Sequence, residues 1–211
     1  MCAGPHGSGE TSPHALSPEQ AAHVAEALAL SSAPFVWAAG TLTVLPEGFE
    51  VATASRGMVI RGWAPQVEIL RHRAVGWFLM HCGMNTLLEA VSAGVAMLAW
   101  PMGADHFINR VLLREAGVAI DVAEGADAVP DAAQMAKAIA AAVGDEGKPI
   151  RERAMELGCK AVAAVGRVGA LTGTCKSWFA FWLMSTSACR PPIDMGIFLF
   201  GLPYRKSTPR E

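Results

Sequence analysis

"VGWFLMHCGMNTLLEAVSAGVAMLAWP", residues 75–101, reads as strand, helix, strand, and its reading decides the architecture. Residues 75–81 and 95–100 are short, continuous apolar runs, the mark of strands covered on both faces. Between them, residues 84–93 stop at Gly94, a residue suited to the left-handed position after a helix. On a helical wheel Met84, Leu87, Leu88 and Val91 fall at i, i+3, i+4 and i+7, which predicts one apolar stripe packed on a sheet. Asn85, Glu89 and Ser92 lie opposite, with Thr86 flanking them. A helix joining two buried strands is the crossover that a parallel sheet requires.

The same alternation extends in both directions. Ser17-Pro18-Glu19-Gln20 opens a helix, with serine as N-cap, proline in the first turn and Gln20 completing a capping box. That helix runs to about Leu30. "PFVWAAG" (34–40), "GMVIRGW" (57–63) and "VAI" (118–120) are further strands, "LPEGF" (45–49) is a turn, and Pro65 opens a short helix. Helices are expected at 107–116, from Pro130-Asp131 to Val143, and over 149–165. The class is therefore α/β, a Rossmann-like parallel sheet with helices on both faces.

Composition narrows the function. The chain has 211 residues, 52% of them hydrophobic, and a net charge of −2, so it has no electrostatic footprint for nucleic acid or anionic membranes. No apolar run is long enough to span a bilayer, and the first sixteen residues lack an apolar h-region. Five scattered cysteines suit a reducing compartment, so a cytoplasmic location is expected. Three segments follow: an irregular stretch at 1–16, a domain at 17–166, and an atypical hydrophobic tail at 167–211. The tail patches "WFAFWLM" (178–184) and "IFLFGL" (197–202) show no helical or alternating period, so the tail is expected to stand outside the fold.

Ligands of open α/β sheets bind beyond the carboxyl ends of the strands. A helix starting near Met84 would offer free N–H groups and its positive dipole end there, which suits phosphate. His81, Asn85 and Thr86 are placed to supplement those amides. Equally, Asn85 and Thr86 would serve as helix caps and His81 as a hydrogen-bonded strand-end residue.

The surrounding stretch changes that balance. "WAPQVEILRHRAVGWFLMHCGMNTLLEAVSAGVAMLAWPMGADH", residues 63–106, closely resembles the plant secondary-product signature, the donor-binding box of UDP-dependent family 1 glycosyltransferases. The likeness is ungapped from W-A-P-Q through H-C-G-x-N-T to W-P and the final acidic residue. "LSPEQAAHVAEAL", "LPEGFE" and "NRVLLREAGVAI" extend it over roughly residues 17–165. The resemblance implies the C-terminal domain of a GT-B architecture. It implies a UDP-sugar site in which Trp63 stacks on uracil beside Ala64 and Gln66 bonds the uridine. His81, Gly83, Met84, Asn85 and Thr86 would line the diphosphate, Glu89 would accept the ribose hydroxyls, and Asp105 and His106 would read the sugar.

The implied reaction is inverting hexose transfer from UDP-glucose or UDP-galactose to a hydroxyl of a small phenolic acceptor such as a flavonoid, with no cofactor and no metal. The family's catalytic histidine and aspartate belong to an N-terminal half with no counterpart here, so no catalytic residue is assigned. The alternative is a truncated, non-catalytic UDP-binding remnant. Met84 stands where the family has tryptophan, Met80 where it has threonine, and His106 where glucose-using members have glutamine, a change associated with galactose.

Other motifs fail on chemistry. "GPHGSGET" (4–11) has phosphate-loop spacing, but Glu10 stands where lysine is needed and no strand precedes it. His72, His81, Cys82 and His106 lack zinc-ligand spacing. No strand is followed by G-x-G-x-x-G, which argues against a nicotinamide dehydrogenase.

Overall fold

A computed structural model describes residues 16–171 and 195–200 of the chain. The irregular segment expected at the N-terminus and the first tail patch lie outside these residues. The elements run α1 (Pro18–Ser31), β1 (Phe35–Ala39), α2 (Phe49–Thr53), β2 (Gly57–Arg61), α3 (Gln66–Arg71), β3 (Val75–Met80), α4 (Met84–Ala93), β4 (Ala96–Ala99), α5 (His106–Glu115), β5 (Ala119–Asp121), α6 (Ala132–Val143), α7 (Lys148–Leu171) and β6 (Met195–Phe200). No described helix is long and apolar enough to cross a membrane.

Local chemistry explains the first helix. Ser17 Oγ accepts from the Gln20 backbone at 3.2 Å, and Gln20 Oε1 accepts from the Ser17 backbone at 2.9 Å. The same Gln20 is 4% exposed, and its Nε2 donates to the carbonyls of Ala126 and Ala128 at 2.7 and 2.8 Å. One side chain therefore caps α1 and docks it on the loop before α6.

The sheet order is β2-β1-β6-β3-β4-β5. Pairs β1–β2, β3–β4 and β4–β5 are parallel, as expected of covered apolar strands. Strand β6 is antiparallel to both β1 and β3, so the sheet is mixed at its centre. For residues 195–200 this corrects the expectation that the tail stands outside the fold. Ile197, Phe198 and Leu199 are fully buried, and Phe198 stacks on Phe78 with ring centroids 4.8 Å apart. Helix α7 also continues to Leu171, past the boundary expected at 166. Strand β6 is apolar all along because both its faces are covered, which is why no alternation marks it.

The apolar stripe expected on α4 is a second correction. Met84 and Leu88 are 44% and 39% exposed, while Thr86, Glu89 and Ala90 are buried. Helices α3 and α7 flank α4 and turn its small and polar residues inward. Gly158 of α7 comes so near that a Cβ there would lie 2.7 Å from the Val91 carbonyl oxygen. Leu87 and Val91 of the same stripe are half-buried and pack against the core, so the stripe is only partly turned inward.

Chain direction reverses between β1, which leads outward to β2, and β3, which leads outward to β4 and β5. Such a switch point opens a crevice beyond the carboxyl ends of the strands. Strand β6 fills the slot between the two halves, its first residue, Met195, paired with Ala39 at that same edge.

Candidate functional site

Three connections meet at the crevice. Trp63 and Ala64 follow β2, His81 to Gly83 join β3 to α4, and Asp105 and His106 close the loop after β4. Trp63 is 58% exposed although Trp37, Trp77 and Trp100 are fully buried, so a large flat indole is open to solvent at this edge. Ala64 behind it is 7% exposed.

Gln66 crosses from the first residue of α3 to α4, where its Nε2 donates to Glu89 Oε2 at 2.5 Å. Glu89 is 4% exposed and Gln66 6% exposed. The structure thus joins two residues that lie 23 positions apart and ties the loop after β2 to the helix after β3. The amide nitrogen of Gln66 is engaged with the carboxylate, while its Oε1 is a buried acceptor with no hydrogen-bond partner among the described residues. A buried acceptor of this kind is costly unless a donor reaches it.

The β3–α4 turn is compact and constrained. Cys82 has φ +68, a left-handed conformation unusual for a residue with a side chain. A Cβ on Gly83 would stand 2.5 Å from His81 Nε2, so a side chain here would have to displace the imidazole that folds across the turn. Gly83 is the N-cap of α4 and makes no side-chain cap hydrogen bond, and Met84 and Asn85 at the helix start are exposed. The first amides of α4 thus face the crevice without a capping oxygen from Gly83. Thr86 is buried and does not stand open beside Asn85.

The His81 ring meets the His106 ring, centroids 4.9 Å apart and tilted by 56°. His106 is 5% exposed, while Asp105 beside it is exposed. Asn109, 1% exposed, donates from Nδ2 to the Cys82 carbonyl at 2.9 Å and to Asp105 Oδ2 at 2.8 Å. Sequence reasoning missed Asn109. The available signal was its i+4 spacing from Asp105 on one helix face. Among the described residues no three His, Cys, Asp or Glu side chains gather as metal ligands.

Cys82 is buried, and its thiol is pushed up to about 12, chiefly by burial, against a smaller lowering by the Trp100 backbone. A protonated, enclosed thiol is a poor nucleophile. Iodoacetamide at mildly alkaline pH is expected to alkylate exposed Cys159 and to spare Cys82 until denaturant is added, as read by peptide mass mapping. Because the folded chain holds this proton more tightly than the unfolded chain, stability from this group is complete below the ordinary thiol range and falls as pH rises toward about 12.

Comparison with known proteins places the chain in a family. A family model described as UDP-glucoronosyl and UDP-glucosyl transferase matches residues 12–158. The chain is 43% identical over 152 residues to UDP-glycosyltransferase 89A2 of Arabidopsis thaliana, covering 72% of this chain and 32% of that protein. It is 43% identical over 163 residues to flavonol 3-O-glucosyltransferase UGT89B1 of the same plant, covering 73% and 34%. The crystal structure of Arabidopsis thaliana UGT89C1 complexed with UDP-L-rhamnose aligns with a TM-score of 0.67 at 41% identity, over 79% of this chain and 40% of that one. Phytolacca americana UGT2, complexed with UDP-2fluoro-glucose and pterostilbene, aligns with a TM-score of 0.65 at 30% identity, over 71% and 35%. The chain spans about a third of the length of the curated relatives it matches. The domain is accordingly the α/β, Rossmann-like C-terminal domain of a GT-B fold. On a family match that runs through nearly the whole described domain, the chain belongs to the UDP-glucoronosyl and UDP-glucosyl transferase family.

Proposed function

We propose that this chain binds the UDP-sugar donor of a glycosyltransferase that moves a hexose to a hydroxyl of a small phenolic acceptor such as a flavonoid. The observation that carries the reading is the buried Gln66–Glu89 pair, in which Gln66 Oε1 has no donor among the described residues, three positions after the exposed indole of Trp63. A ribose presents adjacent hydroxyls that both donate and accept. One satisfies Gln66 Oε1, and the Glu89 carboxylate accepts alongside the amide it already holds. Uracil then lies on Trp63 with Ala64 at its edge.

From that anchor the diphosphate reaches the start of α4, where the amides at Gly83, Met84, Asn85 and Thr86 and the positive helix end stabilise negative charge. As the anomeric bond breaks, charge grows on the leaving diphosphate, and His81 and the helix start are the groups placed to offset it. Asp105 and His106 face the hexose, glucose or galactose, of the donor. A general base deprotonates the acceptor hydroxyl as it attacks the anomeric carbon. The free thiols of Cys82 and Cys159 suit a reducing cytoplasm.

Calorimetric titration with UDP tests the reading, with Trp63→Ala as the informative variant. Loss of base stacking is worth about 1–3 kcal/mol, so UDP affinity is expected to fall roughly 5- to 150-fold, with the fold unchanged because the side chain is exposed. Unchanged affinity would remove uracil from Trp63. A radiolabelled-sugar transfer assay on the same chain then separates turnover from binding alone, the outcome expected of a non-catalytic remnant.

A further inference from the structure

Asn109 is a fully buried amide whose two donated hydrogen bonds go to the two loops that bracket the crevice. One reaches the carbonyl of Cys82, a residue held at φ +68 in the β3–α4 turn. The other reaches Oδ2 of Asp105, an exposed carboxylate that opens α5. The loop before it is also unusual, with Ala104 at φ +49. Backbone in the left-handed region on residues with side chains costs energy and persists only where the surroundings hold it. Here a single amide holds both sides.

The arrangement has a directional consequence. An exposed aspartate normally samples several rotamers, and binding a hydroxyl then costs the entropy of choosing one. With Oδ2 engaged by a buried donor, the rotamer of this exposed carboxylate is set in advance. We propose that Asn109 is a positioning residue for donor-sugar recognition. It orients Asp105 toward the hexose hydroxyls and locks the Cys82 turn to the same frame, so that sugar and diphosphate are read in one register. This rests on the UDP-sugar reading above and adds to it a residue and a role.

The test compares UDP with UDP-hexose by calorimetry, for the whole chain and for Asn109→Ala, Asp105→Ala and the double variant. UDP reports the nucleotide site alone, so the ratio of UDP-hexose to UDP affinity isolates the sugar. For Asn109→Ala that ratio is expected to fall about tenfold, the effect of losing one charge-assisted hydrogen bond's worth of orientation. In the Asp105→Ala background the same substitution is expected to leave the ratio unchanged, because the residue through which it acts is gone. General loosening of the fold would lower both affinities together and leave the ratio where it was. Asn109→Asp keeps the side-chain volume and replaces the donor with a carboxylate facing Asp105, and it is expected to lower the ratio as well.

A ratio unchanged in both Asn109 variants, or an Asn109→Ala effect that persists in full without Asp105, would overturn the proposal while leaving UDP binding intact. Failure of the unmodified chain to bind UDP would instead overturn the nucleotide reading, and this proposal with it.

Discussion

Phe198→Asp is expected to leave the protein unable to fold, read as loss of the cooperative urea transition and of native far-UV circular dichroism. Phe198 is fully buried, stacks on Phe78 and pairs across the sheet with Val36 on one side and Phe78 on the other. Phe→Ala at such a site costs about 3–5 kcal/mol, and an ionised carboxylate there has no partner to offset its desolvation. Domains of this size are stable by only about 5–15 kcal/mol, so the charged variant has little or no margin. The effect extends beyond one side chain. Without β6, the facing edges of β1 and β3 would carry unpaired backbone groups in the middle of the sheet, over Trp37 and Trp77. Termination after Leu171 is expected to have the same outcome. As a control, Leu112→Asp, at a side chain 53% exposed, should shift the urea midpoint little. A Phe198→Asp protein with the unmodified midpoint would remove β6 from the sheet.

Glu89→Ala is expected to weaken UDP binding by roughly 30- to 150-fold, the equivalent of about 2–3 kcal/mol for hydrogen bonds to a charged acceptor. Its carboxylate is 4% exposed and is already hydrogen-bonded to Gln66, so it is fixed before any ligand arrives. Truncation also strands the Gln66 amide in a buried place, and the variant should lose about 1–3 kcal/mol of folding stability. Glu89→Gln keeps the shape and one acceptor oxygen but not the charge, and its affinity should fall between the two. Titrations made well below the unfolding temperature separate the two losses. Equal UDP affinity for Glu89→Ala and the unmodified chain would disprove the ribose assignment.

Much of the molecule is written locally in its residues. The capping box at Ser17–Gln20, the glycine that ends α4 and the apolar runs of β1, β3 and β4 stand where short-range patterning puts them. Each depends on neighbours within a turn or two, and side-chain geometry at that range leaves few alternatives. The candidate site was legible for a related reason: the contiguous box at 63–106 contains every loop that meets at the crevice. Helix α2 escaped, since Phe49–Thr53 spans five residues and too few positions to show a period.

The residues alone therefore settled the family and, apart from α2 and β6, the elements and their order along the chain. Three matters were left to tertiary structure. The buried face of α4 is the one with Thr86, Glu89 and Ala90, because α3 and α7 approach there; its own hydrophobic stripe favoured another. Asn109 ties its own helix start at Asp105 to Cys82, which lies 27 positions before it in the chain. Strand β6 occupies the sheet's centre although it arrives last in the sequence. In each case the deciding contact is made by a partner distant along the chain, and local spacing carries no information about which backbone edge or helix will be near once the chain has closed up.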